Sequence, residues 1–100
     1  MSEEKQSHDL LEAFKERMRI FHDMEDNNLS RILSNSQAAL TEKFDVAVEE
    51  YETGRELILE RSRFVYNDKL EAFESSFASE LYRFALAHTL NEEENNDSSR

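Results

Sequence analysis

A small all-α domain of four helices is the fold this sequence predicts, and three observations predict it. The chain of 100 residues has no proline, one glycine and no cysteine, so it lacks the turn punctuation of a β-sandwich and any disulfide or cysteine-metal framework. Apolar residues recur at helical spacing over most of its length. One segment, Gly54 to Asp68, is apolar on two opposite sides: Leu57, Ile58, Phe64 and Val65 on one, Leu59 and Tyr66 on the other. A helix apolar on two faces belongs in the centre of a bundle. A chain this size supports one modest core, and the expected organisation is a flexible polar segment over 1–8, a helical domain over 9–90 and a disordered acidic tail over 91–100.

The first helix is expected to begin at Asp9, whose side chain can cap the first turn while Glu12 reaches back. Leu11, Phe14, Met18 and Phe21 form its apolar stripe. The run His22 to Asn28 offers polar side chains that compete with the backbone for hydrogen bonds, so a turn is placed there, with Asp23 as the cap of the next helix and Asp26 in its first turn. That second helix, Met24 to Phe44, carries Leu29, Ile32, Leu33, Ser36, Leu40 and Phe44 on one face, with Ala38 and Ala39 alongside where another helix can approach. From Asp45 to Thr53 the helical period is lost, and Val46 and Val48 suit a loop or an edge-strand fragment. After the central helix, Asp68 and Glu71 again have capping-box spacing, and Leu70, Phe73, Phe77, Leu81, Phe84 and His88 make the stripe of a fourth helix running to about Leu90.

Net charge is -11, which opposes binding to phosphate backbones. The segment Glu42 to Glu60 holds seven acids against Lys43 and Arg55, so this part of the surface is strongly negative. A single glycine cannot build a phosphate-binding loop, and the three histidines are far apart in sequence. His22, Asp23, Glu25 and Asp26 are the nearest approach to a cation site, yet acids at a helix start are favoured by the helix dipole without any ion. No serine, cysteine or acid is placed to work with His88. The expectation is therefore no catalytic residue, no cofactor and no metal. With no long apolar run and no basic start before an apolar stretch, a soluble intracellular product without membrane attachment is expected.

What remains is interaction. Arginine outnumbers lysine eight to four, and Arg55, Arg61 and Arg63 cluster on the central helix. Arginine is the cation suited to core or interface pairing. Arg61 stands out because its neighbours three and four residues away are all apolar, so a carboxylate from another helix or another chain is expected to answer it, unless it snorkels to water along its stem. Seven phenylalanines and three tyrosines supply anchors either for the core or for an interface.

The stretches L-L-E-A-F-K-E-R-M-R-I at 10–20, E-D-N-N-L-S-R-I-L at 25–33 and E-R-S-R-F-V-Y-N-D-K-L-E-A-F at 60–73 resemble, in that order, the head-tail connector proteins of tailed bacteriophages. The similarity spans about residues 10 to 81. It implies a helical head-completion adaptor that assembles as a dodecameric ring under the portal and extends the DNA exit channel. Its implied partners are copies of itself, the portal protein and a tail-side stopper or joining protein. DNA passes without specific binding, and the implied location is the virion, after assembly in the host cytoplasm. A ring uses a heterologous interface, for which Arg55, Arg61 and Arg63 are candidates. Glu49, Glu50, Glu52 and Glu56 are candidates for the channel wall, where repulsion keeps DNA mobile. Phe84, His88 and Leu90 are candidates for docking on the portal. The alternative is a monomeric or dimeric helical regulatory module that binds a protein partner through the same aromatic surplus.

Overall fold

The structure, a computed structural model, describes residues 2–89, with side chains from residue 10 onward. It is all-α among those residues: α1 (Ser2–Met18), α2 (Asp26–Phe44), α3 (Glu52–Tyr66), α4 (Phe73–Ser76) and α5 (Ala78–Phe84), with 3-10 turns at Val48–Glu50 and Leu70–Ala72 and a π-helical turn at Ala85–Thr89. Leu90 and the expected tail over 91–100 lie outside the described residues.

The central position of α3 follows from its three consecutive buried residues, Leu57, Ile58 and Leu59. Successive helical residues are about 100° apart, so three in a row bury more than half the circumference. Accordingly α3 packs against α1, α2, α5 and the first 3-10 turn. α2 covers one side with Leu29, Leu33, Ser36, Leu40 and Phe44, the stripe its sequence spacing predicts. α1 adds Leu10 and Phe14, and the C-terminal segments add Phe73, Leu81 and Phe84 to the same core.

Three helices end on residues other than glycine in the left-handed region. Arg19 (φ 60°) closes α1 and Asp68 (φ 60°) follows α3, while Asp45 (φ 59°) closes α2. The first two make Schellman closures: Ile20 N–H donates to Lys15 O at 2.9 Å and Arg19 N–H to Glu16 O at 3.2 Å, and likewise Lys69 to Phe64 O at 2.8 Å and Asp68 to Val65 O at 3.0 Å. Asp45 makes the simpler closure, its N–H donating to Thr41 O at 2.7 Å.

These reversals account for most departures from the sequence expectations. α1 stops at Met18, so Ile20 enters the core and Phe21, expected on the apolar stripe, is 83% exposed. α1 also begins at Ser2, which puts Asp9 inside the helix and not at its cap. Asp23 does not cap α2; Glu25 holds that position without a side-chain cap, and the Asp23 carboxylate accepts from Lys15 Nζ at 3.0 Å. Asp68 ends the α3 region and does not cap a fourth helix. The expected fourth helix is divided at Phe77 (φ -114°, ψ 26°) into α4 and α5, and Leu70 is exposed. The connection at 45–53 contains no strand: Val46 and Val48 are buried, and the chain coils into a 3-10 turn.

The only glycine sits where α3 crosses that turn. A Cβ on Gly54 would lie 2.0 Å from Val48 O, so the close approach of helix and turn requires a residue without a side chain.

Candidate functional site

The polar surface is organised around α3. Arg17, at the end of α1, sends Nη1 to Glu60 Oε2 at 2.6 Å and Nη2 to Glu56 Oε1 at 2.9 Å. Burial works against the Arg17 charge more than any single contact favours it, but the hydrogen bonds and charges of Glu56 and Glu60 together outweigh it and raise the pKa. Glu60 uses its other oxygen for Arg63, whose Nε and Nη2 donate to Oε1 at 3.0 and 2.6 Å. A half-buried carboxylate thus lies between two guanidinium groups and fastens α1 to α3.

A second polar cluster closes the α1–α2 loop. Lys15 Nζ donates to Asp26 at 2.7 Å and Asp23 at 3.0 Å, and these two bonds, Asp26 first, raise its pKa. Tyr66 Oη lies 3.0 Å from both oxygens of Glu25, which raises the phenol pKa with burial as the smaller cause. The acids considered above for a cation are therefore turned toward an ammonium and a phenol. Among the described residues no group of three or more histidines, aspartates and glutamates is placed to hold a metal ion.

The three arginines expected at an interface or core pair are all engaged within the chain. Arg55 Nη1 donates to Glu49 O at 2.8 Å and holds the 3-10 turn against α3. Arg63 has its acid three residues upstream on its own helix and lies over the Phe64 ring at 5.1 Å. Arg61 donates to Ser36 Oγ at 3.1 Å, and no carboxylate oxygen among the described residues lies within 4 Å of it. Burial lowers its pKa, and the field of Glu74 only partly offsets this. Of the two sources expected for a carboxylate at Arg61, another helix or another chain, the first does not supply one among the described residues, and a buried hydroxyl bonds the guanidinium there.

The four acids expected at the channel wall differ in exposure and partners. Glu50 and Glu52 are exposed, Glu49 is half-buried with its carbonyl on Arg55, and Glu56 is bound by Arg17. The portal-docking candidates also divide. Phe84 is buried and packs on Phe44 (centroids 5.0 Å) and Tyr51 (5.8 Å), so it is a core residue. His88 is half-buried, its ring 3.8 Å from Tyr51 and 4.5 Å from Phe84. Leu90 lies outside the described residues.

Beside this aromatic cluster a groove of about 610 Å³ runs between the N-terminal half of α3 and α5. Leu57, Phe77 and Phe84 form its apolar floor, and Glu80 and Arg83 stand on its lip. The most exposed large apolar side chains among the described residues lie elsewhere: Met24 (85% exposed) and Phe21 (83% exposed) on the α1–α2 loop, ahead of Tyr82 (66%) on α5.

Sequence reasoning missed the Arg17 clamp, which joins residues 39 and 43 positions apart and leaves no local signal. It also missed the Arg63–Glu60 pair, which the three-residue spacing does signal. No helix among the described residues is long and apolar enough to cross a membrane. Comparison with protein-family models, characterised proteins and solved structures finds no match.

Proposed function

We propose that this chain is a non-enzymatic structural adaptor of a tailed phage particle, forming a ring beneath the portal that joins head to tail and extends the DNA channel. The observation that carries the reading is where the fold puts the three stretches resembling connectors. Lys15 and Arg17 of the first, Glu25 and Asp26 of the second and Glu60 and Tyr66 of the third are bonded to one another across the α1–α2 loop and α3. Segments that resemble one family in order along the chain thus form one spatial unit. The acidic surface supports the same role, with Glu42, Glu50 and Glu52 exposed and available to repel a passing duplex.

The alternative, a monomeric or dimeric regulatory module, draws on the internal partners of Arg55, a backbone carbonyl, and of Arg63, a carboxylate, which involve no neighbouring chain. Mixing the purified protein with portal particles separates the two. The adaptor reading expects an added ring in electron micrographs and a matching mass increase. Bare portals at saturating protein would refute it.

A further inference from the structure

We infer that the α1–α2 loop of one copy, led by Phe21 and Met24, seats in the α3–α5 groove of the next copy, making the heterologous contact of the assembly. This rests on the ring reading above and assigns the two halves of its interface. A ring contact needs two different patches on one chain, and this chain presents a projecting apolar knob and an apolar groove. The loop leaves α1 just after Arg17, whose guanidinium reaches the groove acids Glu56 and Glu60, but its Met24 end is carried away from the groove. The Tyr66–Glu25 bond holds the loop at the C-terminal end of α3, whereas Glu56 and Leu57 place the groove near its N-terminal end. Those positions are separated by about 15 Å along the helix at 1.5 Å per residue.

Charge selects the same pairing. Arg19, two residues before Phe21, is exposed and forms no ion pair among the described residues, and Asp23, two residues after Phe21, holds Lys15 through one oxygen while its side chain stays 91% exposed. On the groove lip Glu80 and Arg83 are exposed and likewise form no ion pairs there. Setting Arg19 against Glu80 and Asp23 against Arg83 brings opposite charges together around the apolar centre, the arrangement that fixes register at an interface. Glu56 and Glu60 on the groove wall are already answered by Arg17 and Arg63, so the acid left to select a cation on the occupant is Glu80.

The chain has no cysteine, so single cysteines report contacts cleanly. Equal amounts of Phe21→Cys and Thr53→Cys protein, Thr53 being exposed on the groove wall, are oxidised both as concentrated free protein and on portal particles. The expected product is the mixed Phe21→Cys/Thr53→Cys disulfide in excess over either homodimer. Arg19→Glu and Glu80→Arg are each expected to weaken assembly by about 10-fold or more, and the chain carrying both to recover it, since close charge pairs across interfaces couple at this level or above. Absence of the mixed disulfide from both samples, a Phe21→Cys homodimer as main product, or no recovery in the double variant would each overturn the inference. Rings on the portal without the mixed disulfide would overturn it and leave the adaptor reading standing. The mixed disulfide in free protein with bare portals would do the reverse.

Discussion

Gly54→Ala is the substitution most sharply decided by the fold. The new Cβ would lie 2.0 Å from Val48 O and 2.8 Å from Val48 C, both backbone atoms, so no side-chain rotation relieves the clash. Carbon–oxygen contacts settle at about 3.3 Å or more, so helix and turn must separate by about 1.3 Å. That movement pulls Val48, 0% exposed, from the core and strains the Arg55 bond to Glu49 O. Overpacking of this kind costs about 1–3 kcal/mol, and a backbone obstacle puts it at or above the top of that range. Against it stands the helix preference for alanine over glycine, about 1 kcal/mol, which applies because Gly54 has no positive φ. The net expectation is a loss of about 2 kcal/mol, or a fall in Tm of about 8–16 °C for a domain of this size. Thermal and urea unfolding followed by circular dichroism measure it, with the exposed neighbour Thr53→Ala as a control expected within about 0.5 kcal/mol of the parent. Gly54→Ala protein as stable as the parent would mean that the turn does not lie against α3 as described.

Other sites test the helix ends, the loop cluster and the core. At Asp68, glycine should give a protein about 1 kcal/mol more stable than alanine does, because only glycine accepts the left-handed region freely; urea midpoints compare them. Tyr66 has its pKa held above the ordinary 10.0, so its contribution is complete below pH 10 and is lost as pH rises through the folded value. Tyr66→Phe should therefore flatten the alkaline fall in stability while leaving the part due to Lys15, whose pKa is also raised. Phe84→Ala should lower stability by about 3–5 kcal/mol, seen as lost helix and cooperative unfolding, because the ring is core and not a docking surface.

Helices were legible in this sequence because burial imposes a helical period on apolar residues, and the α2 stripe and the two-sided α3 both follow it. The ends were not. Glycine normally marks a helix terminus, but here Arg19, Asp45 and Asp68 take that conformation and the lone glycine serves packing. A periodicity reading therefore carried α1 on to Phe21 and made Asp68 the start of a helix. The division at Phe77 was hidden for a related reason: Phe73, Leu81 and Phe84 are buried on both sides of it, so the apolar stripe continues across the break. Of the candidate site, local pairs such as Arg63–Glu60 were within reach of spacing rules. Arg17 with Glu56 and the stacking of Phe84 on Phe44 join distant segments, which only the three-dimensional packing brings together.

Arg61 shows how a sound electrostatic expectation can be met by different chemistry. Its helical neighbours are apolar, and a guanidinium sealed in the core would require a carboxylate. The fold instead leaves it half-buried at a second groove, with one hydrogen bond to the buried Ser36 hydroxyl, while Glu74, the nearest acid by its field, is engaged by Lys43 at 3.3 Å. A partly wetted cation does not carry the full penalty of an isolated buried charge, and its stem still covers apolar surface. Arg61→Met keeps that stem and removes the charge, and Ser36 can turn its hydroxyl to a carbonyl of its own helix. Stability should then change by less than about 1 kcal/mol, whereas breaking a buried ion pair costs about 3–5 kcal/mol. Urea unfolding decides between these values, and a loss of 3 kcal/mol or more would mean that a carboxylate does answer Arg61 inside the chain. If Arg61→Met folds with unchanged stability but no longer assembles on portal particles, the answering carboxylate belongs to a neighbouring copy, and the second groove is part of the ring contact as well.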